Sequence, residues 1–377
     1  MSLDLAVLSQ DPRFGFGFYS FASSFWSAAV ELGREPHLLY MSRVARSGRP
    51  KLEEQGPFSG TAYPSPLREL DGVSQVLGAR QMLQAARTAR SLWVVAASAP
   101  YGAAASRSGR PYACWIATDL ESEWESRRAE LSPSRRVALA LNSSLLRKLE
   151  RQTLIGAEAV FTISPASRDA LAASSGRTDI DWLPVPVDVD RLRPALDAEW
   201  LAGLDEPTIV FVGRGADPRK NLRLLLDALP SIRREIPGTT LKLVGEPPPP
   251  PLPEGAVVVG PVDDVASELR SASILALPSR QEGFGIVVAE AFACGLPAIV
   301  TPSGGPEALV RASGGGVVLD GFERDELVAA MVSLLADRLR LQEMRRKARA
   351  YVEREHSPSR LRDLLGPSLA RLDALTA

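Results

Sequence analysis

Twelve short apolar runs, each closed by a turn residue and most followed by a helix-like pattern, leave this chain few folds to choose from. Runs of that length, apolar throughout rather than alternating, suit parallel strands covered by helices on both faces. In the first half they fall near Leu3–Ser9, His37–Met41, Leu92–Ala97, Ala113–Thr118, Ala159–Ser164 and Asp181–Val185. In the second half they fall near Ile209–Gly213, Leu241–Gly245, Val257–Gly260, Ile274–Pro278, Ala298–Thr301 and Gly316–Leu319. Six and six predicts an α/β protein of two doubly wound units.

The stretch Leu183 to Pro207 is rich in Pro and Asp and has no clean period, so the linker belongs there. This gives an N-terminal domain over 1–190 and a C-terminal domain over 191–358. Helical segments are expected over Arg324–Glu355 and Ser359–Thr376, broken at Ser357-Pro358. The last, about 359–377, is expected to pack back on the first domain.

Composition narrows the partners. With 377 residues, 45% of them hydrophobic, the chain has enough apolar surface for two cores. Lys and Arg number 44 against 45 for Asp and Glu, and both halves are balanced, so no field points to nucleic acid. Cys114 and Cys294 stand far apart with no His or Cys at ligand spacing, which gives neither a disulfide framework nor a zinc site. The N-terminus has no basic n-region and no run reaches about 18 apolar residues, so a cytoplasmic chain with at most peripheral membrane contact is expected.

Three tracts have plain readings beside sharper ones. Five prolines, Pro247 to Pro251, make a stiff loop or a docking motif for a partner. Gly102 to Arg110 reads as a mobile loop. Ser134 to Leu154 is an amphipathic helix with Arg135, Arg136, Arg147, Lys148 and Arg151; a solvated face explains it, and so does contact with an acidic membrane surface at the inner face.

The sharpest constellation runs from Pro278 to Pro297. A strand ends at Pro278, glycines open a turn, and a helix starts near Ile286, so free N–H groups and the positive end of the helix dipole make an anion site. Glu282 precedes the turn and Glu290 lies about one helical turn inside, placed to flank a phosphate and accept from hydroxyls on either side. Glutamates near a helix start also complement its dipole, and glycines also simply turn. The combination with strand, turn and helix favours a site.

A second constellation, Phe211 to Asn221, again ends a strand and opens a helix, and it delivers Arg214 and Lys220 to the same sheet edge. A planar fork and a point charge suit a departing diphosphate. Two cations at the positive end of a helix imply an anion between them. Arg219 reads as a solvated spare.

The Glu-x7-Glu pattern in EGFGIVVAE, the following ACGLP, the PSGGPEAL after the next strand and the upstream VGRGADPRKN resemble the retaining GT-B glycosyltransferases of family 4 (glycosyl transferases group 1). The resemblance is close over Thr208 to about Leu319 and covers the first half only in outline. It implies two Rossmann-like domains facing across a cleft. It places Glu282 on donor-sugar hydroxyls, Glu290 on the nucleotide ribose, Arg214 and Lys220 on the diphosphate, and Gly213 and the backbone of Gly283, Phe284, Gly285 and Ile286 on sugar and phosphate. It implies no metal and no cofactor beyond the nucleotide sugar itself.

In the first half, Gly15 and Gly17 follow the first strand where the family keeps a glycine-rich loop facing the cleft; a plain turn explains a bare G-x-G equally well. Two departures stand out. Thr118 occupies the place where the family commonly has His, leaving Asp119 to orient the acceptor or the attacking oxygen. Leu183-Pro-Val-Pro-Val-Asp188 replaces a glycine-containing hinge with a stiffer one. The two histidines, His37 and His356, read as structural.

The expected reaction is a front-face displacement on a UDP- or GDP-sugar, with Arg214, Lys220 and helix dipoles stabilising the leaving diphosphate. A hydroxyl of a cell-envelope glycan, a lipid or a small molecule is the acceptor. A nucleotide-sugar epimerase or hydrolase, an inverting transferase, or a non-catalytic GT-B partner subunit are the alternatives on the same scaffold.

Overall fold

The computed structural model describes residues 3–11, 16–42, 50–64, 71–127 and 133–376. The chain divides into two compact units, Met1–Val185 with Pro358–Ala377, and Pro186–Ser357.

The first unit runs β1 (Leu5–Ser9), α1 (Phe16–Glu31), β2 (Pro36–Ser42), β3 (Lys51–Gln55), β4 (Phe58–Pro64), α2 (Asp71–Thr88), β5 (Ser91–Ala96), two 3-10 turns (Ala99–Gly102 and Ala105–Arg107), β6 (Ala113–Ile116), α3 (Leu120–Arg127), α4 (Pro133–Ile155), β7 (Ala159–Thr162), α5 (Pro165–Ser175) and β8 (Ile180–Trp182). Its sheet has the order β3-β4-β2-β1-β5-β6-β7-β8, parallel except for the β3–β4 hairpin. Every residue of β1 and β5 is buried, as expected for strands covered on both faces. Trp93 and Trp115 meet Phe25 and Phe21 of α1 at 5.1 and 4.2 Å between ring centroids.

The second unit runs α6 (Asp197–Ala202), β9 (Thr208–Val212), a 3-10 turn (Pro218–Lys220), α7 (Leu222–Glu235), β10 (Thr240–Val244), β11 (Ala256–Gly260), α8 (Ala266–Arg270), β12 (Ile274–Leu277), α9 (Ile286–Ala293), β13 (Ala298–Val300), α10 (Gly305–Ser313), β14 (Gly316–Val318), α11 (Arg324–Ala336) and α12 (Arg338–Glu355). All six strands are parallel in the order β11-β10-β9-β12-β13-β14. In α7 the buried Leu222, Leu225, Leu226, Leu229 and Ile232 repeat at helical spacing, while Arg223 and Asp227 pair on the outer face.

The last helix, α13 (Pro358–Thr376), packs on the first unit. Its Asp373 bonds Ser91 and pairs with Arg34 and Arg90, and its Leu361, Leu365, Leu369 and Leu372 are buried at helical spacing.

Several details differ from the sequence expectations. The first unit has eight strands, not six, because Lys51–Gln55 and Phe58–Pro64 form an edge hairpin turned at Gly56, where φ is +60°. The unit boundary falls at Val185–Pro186, before residue 190, because the Val187 N–H already donates to the His356 carbonyl of the second unit. The helix expected over Arg324–Glu355 is two, since Asp337 caps α12 by accepting from Arg340 N. Gly102 to Arg110 is not a loose loop: Ala103, Ala104 and Ala105 are at most 1% exposed, and a Cβ on Gly102 would lie 2.6 Å from Thr153.

Candidate functional site

In an open parallel sheet, ligands gather outside the carboxyl ends of the strands where the order reverses. In the second unit that point lies between β9 and β12, which are neighbours in the sheet. The loops leaving those two strands are the two constellations picked out from the sequence.

After β9, the chain is held against the next strand's exit by Gly213 N to Val244 O at 2.9 Å and Gly215 N to Glu246 O at 2.7 Å. Asp217 then caps the 3-10 turn Pro218–Lys220, and Asn221 at φ +49°, a region Asn tolerates better than most residues, starts α7. After β12, the fully buried Ser279 donates its Oγ proton to Glu282 Oε1 at 2.9 Å. Lys220 Nζ donates to the same oxygen at 2.5 Å. Arg280 N donates to Arg219 O at 2.8 Å, so backbone as well as side chains join the two loops.

Glu282 is fixed on its other side by a parallel bridge to Gly304: its N–H donates to Ser303 O at 2.9 Å and its carbonyl accepts from Gly305 N at 3.1 Å. Gly285 opens α9 at φ +82°, a conformation only glycine adopts without strain, so Gly283 to Ile286 sit at a helix N-terminus. Phe284 turns inward at 8% exposure and meets the His356 ring at 5.2 Å, giving that buried histidine a packing role.

Glu290 lies in α9. Burial pushes its carboxyl up to about 7, against the pull of Arg191 and with a further push from Asp264. Arg191 and Asp264 pair with each other at 2.5 Å.

Two cations brought to one sheet edge call for an anion. The structure supplies two of its own: Lys220 pairs with Glu282, and Arg214 with Asp217 at 2.6 Å. Arg219 is no spare, for it grips Asp217 through Nε and Nη2. Sequence reasoning missed Asp217 and Ser279; the Asp-Pro start of the turn was the available sign of a cap.

In the first unit the order reverses between β1 and β5. Gln10, just past β1, accepts from Ala97 N at 3.3 Å with its Oε1. Gly15 lies outside the described residues, and Gly17 falls in the first turn of α1. Asp119 follows β6, one strand further along, and is 6% exposed. Its Oδ2 caps α3 by accepting from Glu121 N and Ser122 N at 3.0 and 3.2 Å, while its buried Oδ1 has no partner among the described residues. Next to it, Glu150 is pushed up to about 7 by burial, with the charges of Asp119 and Glu123 adding to the shift and a bond from Leu120 N opposing it. Thr118 N donates to Ala97 O at 2.9 Å, and His37 Nε2 bonds Thr61 Oγ1 at 2.9 Å inside the sheet.

Among the described residues there is no group of three or more His, Cys, Asp or Glu arranged for a metal ion, and no helix is long and apolar enough to cross a membrane.

Residues 206–337 match the family described as glycosyl transferases group 1. The chain is 34% identical over 206 residues to a GDP-mannose-dependent alpha-(1-6)-phosphatidylinositol monomannoside mannosyltransferase of Mycolicibacterium smegmatis, covering 48% of this chain and 54% of that one. It is 35% identical over 195 residues to a D-inositol 3-phosphate glycosyltransferase of Segniliparus rotundus, covering 46% and 43%. The match thus spans about half the length of these curated relatives. Among solved structures, the sucrose-phosphate synthase of Thermosynechococcus elongatus superposes with a TM-score of 0.75 at 18% identity over 99% of both chains. Anabaena HepE in complex with UDP and glucose gives 0.69 at 16% identity over 98% of this chain and 99% of that one. The fold is GT-B.

Proposed function

We propose that this chain, whose residues 206–337 form a glycosyl transferases group 1 module, is a retaining glycosyltransferase that moves a sugar from a UDP- or GDP-sugar to an acceptor hydroxyl. The observation that carries the reading is the Lys220–Glu282 contact at the point where the sheet order reverses, with Arg214 on the neighbouring turn and the N-terminus of α9 beside it. The named relative that is GDP-mannose-dependent, and the fold neighbour bound to UDP and glucose, support the donor class.

In this reading the sugar hydroxyls bond Glu282, the ribose bonds Glu290, and the diphosphate lies against Arg214, Lys220, Gly213 and the backbone of Gly283 to Ile286. The protein's own cations stabilise the leaving diphosphate, so no metal is needed. The departing phosphate oxygen takes the acceptor proton as the hydroxyl attacks from the same face. On the acceptor side Asp119 is the named residue, through its Oδ1, which has no partner among the described residues.

Peripheral contact with an anionic membrane belongs to the same proposal. On α4, Val137, Leu141 and Ile155 are 60%, 79% and 54% exposed beside exposed Arg136, Arg147, Lys148 and Arg151, while the helix's one acidic residue, Glu150, is buried. Sedimentation with anionic but not neutral vesicles is the expected result; no sedimentation with either removes this part.

Thermal stabilisation by UDP-, GDP- and ADP-sugars tests the donor site, because a ligand of the folded state raises its melting temperature. One nucleotide class is expected to stabilise the protein, and Arg214→Ala and Glu290→Ala to lose the effect. The ribose needs Glu290 as an acceptor, and a carboxyl raised to about 7 becomes a weaker acceptor as it protonates with falling pH. Stabilisation should therefore be larger at pH 8 than at pH 6, and flat across that range in Glu290→Gln. A product with the anomeric configuration of the donor supports retention; the opposite configuration refutes it.

A further inference from the structure

One carboxylate ties together the two arginines in the loop after β9. The Asp217 side chain is 3% exposed. Its Oδ2 accepts from Arg214 Nη2 at 2.6 Å and from Arg219 Nη2 at 2.7 Å, and its Oδ1 accepts from Arg219 Nε at 3.1 Å and Arg219 N at 3.0 Å. Its backbone N–H donates to Arg214 O at 3.1 Å, and its carbonyl accepts from Lys220 N at 3.0 Å.

Of the four side-chain bonds, capping the 3-10 turn explains only the one from Arg219 N, and Ser, Thr or Asn would make it equally well. Gathering two guanidinium groups on one buried oxygen calls for a full negative charge. Burial alone would push that carboxyl up, but the bonds from Arg219 and the charges of Arg219 and Arg214 outweigh it and hold it below the usual range. Arg214 has half its side chain exposed, and without an anchor a long exposed side chain samples many rotamers. An anchor settles that entropy before a ligand arrives, which tightens binding without adding a contact to the ligand.

We infer that Asp217 is a positioning residue whose carboxylate holds Arg214 in place for the second phosphate of a bound nucleoside diphosphate. The inference rests on the donor-site reading given above. It separates Asp217 from Arg214 by role: Arg214 touches the ligand, and Asp217 acts only through Arg214.

The test is calorimetric titration of the full chain with GDP, UDP, GMP and UMP. Wild type is expected to bind one diphosphate more tightly than its own monophosphate. Asp217→Asn keeps the turn cap and removes the charge; it should lose about tenfold in diphosphate affinity while monophosphate affinity stays within about twofold. In an Arg214→Ala background the same substitution should cost nothing further, since coupled residues are not additive. Arg219→Ala, which keeps the Asp217–Arg214 bond, should stay within about threefold of wild type and shows whether disturbing the turn alone is enough.

Equal losses for mono- and diphosphate, a loss that multiplies with Arg214→Ala, or unchanged diphosphate affinity in Asp217→Asn each overturns the inference while leaving the donor site standing. A wild-type protein that binds no diphosphate in preference to its monophosphate overturns the donor-site reading first, before any substitution is made.

Discussion

Lys220→Ala is expected to lower turnover by roughly a hundredfold to a thousandfold with the fold retained, the loss seen when one preorganised donor to developing negative charge is removed. Lys220 Nζ stands 2.5 Å from Glu282 Oε1, with both side chains at least four-fifths buried. Its removal acts twice. On the proposed donor-site reading the leaving diphosphate loses a cation, and among the described residues Glu282 is left with Ser279 Oγ as its side-chain donor, so its carboxylate drifts from the geometry that meets sugar hydroxyls. Lys220→Arg should recover little, because a planar fork on a longer arm does not reproduce a point charge at that place.

The effect should fall mainly on kcat, since the charge it answers develops as the bond to the sugar breaks. On the proposed reading the protein's own cations stabilise the leaving group, so EDTA should leave wild-type turnover unchanged. Near-wild-type kcat in Lys220→Ala, or activity abolished by the chelator and restored by a divalent cation, would each rule out the charge stabilisation assigned here.

The parts of the site legible in the sequence are those where local signals agree. At Pro278 to Ala293 an all-apolar strand, a glycine turn and a helix follow one another, and each step has its own residue signature. The sheet edge therefore places Glu282 before any contact is known. Which group answers Lys220 is not a local property. Glu282 lies 62 positions away, and the two meet only because β9 and β12 are neighbours at the reversal of strand order.

Where local signals are weak, sequence pattern and structure part. The edge hairpin has Leu52 68% exposed beside Glu53 and Glu54, so no clean alternation marks it, and an edge strand needs none. Gly102 to Arg110 looked like a loop by composition, yet small residues serve there for close packing: the Gly102 backbone approaches Val94 and Thr153 too closely for a side chain. Asp337 divides two helices with no Gly or Pro to announce the break. The N-terminal unit carries fewer signatures throughout, and Asp119 shows why its role is hard to read: one oxygen caps a helix and the other is buried with no partner among the described residues.

Gly305→Ala should be as damaging as removing a charged group, although it adds one methyl. Gly305 is the first residue of α10, where alanine would ordinarily favour the helix by about 1 kcal/mol. Here a Cβ would lie 2.5 Å from Gly283 O, 2.5 Å from Phe284 Cα and 2.6 Å from Phe284 C. All three are backbone atoms, so no side chain can swing aside, and the helix start and the donor loop must separate. The strain outweighs the propensity, at roughly 1–3 kcal/mol for an overpacked site. It also breaks the bridge that holds Glu282 from behind, since Gly305 N donates to the Glu282 carbonyl. A shift near 1 Å in that carboxylate is worth about a hundredfold in rate. Gly314→Ala is the control: it strains the opposite end of the same helix at φ +65°, with its nearest contact the flexible Lys347 side chain at 3.4 Å. Both variants should melt lower than wild type, but only Gly305→Ala should lose nucleotide-sugar turnover. Equal turnover in the two would mean that the Glu282 loop does not depend on its contact with α10.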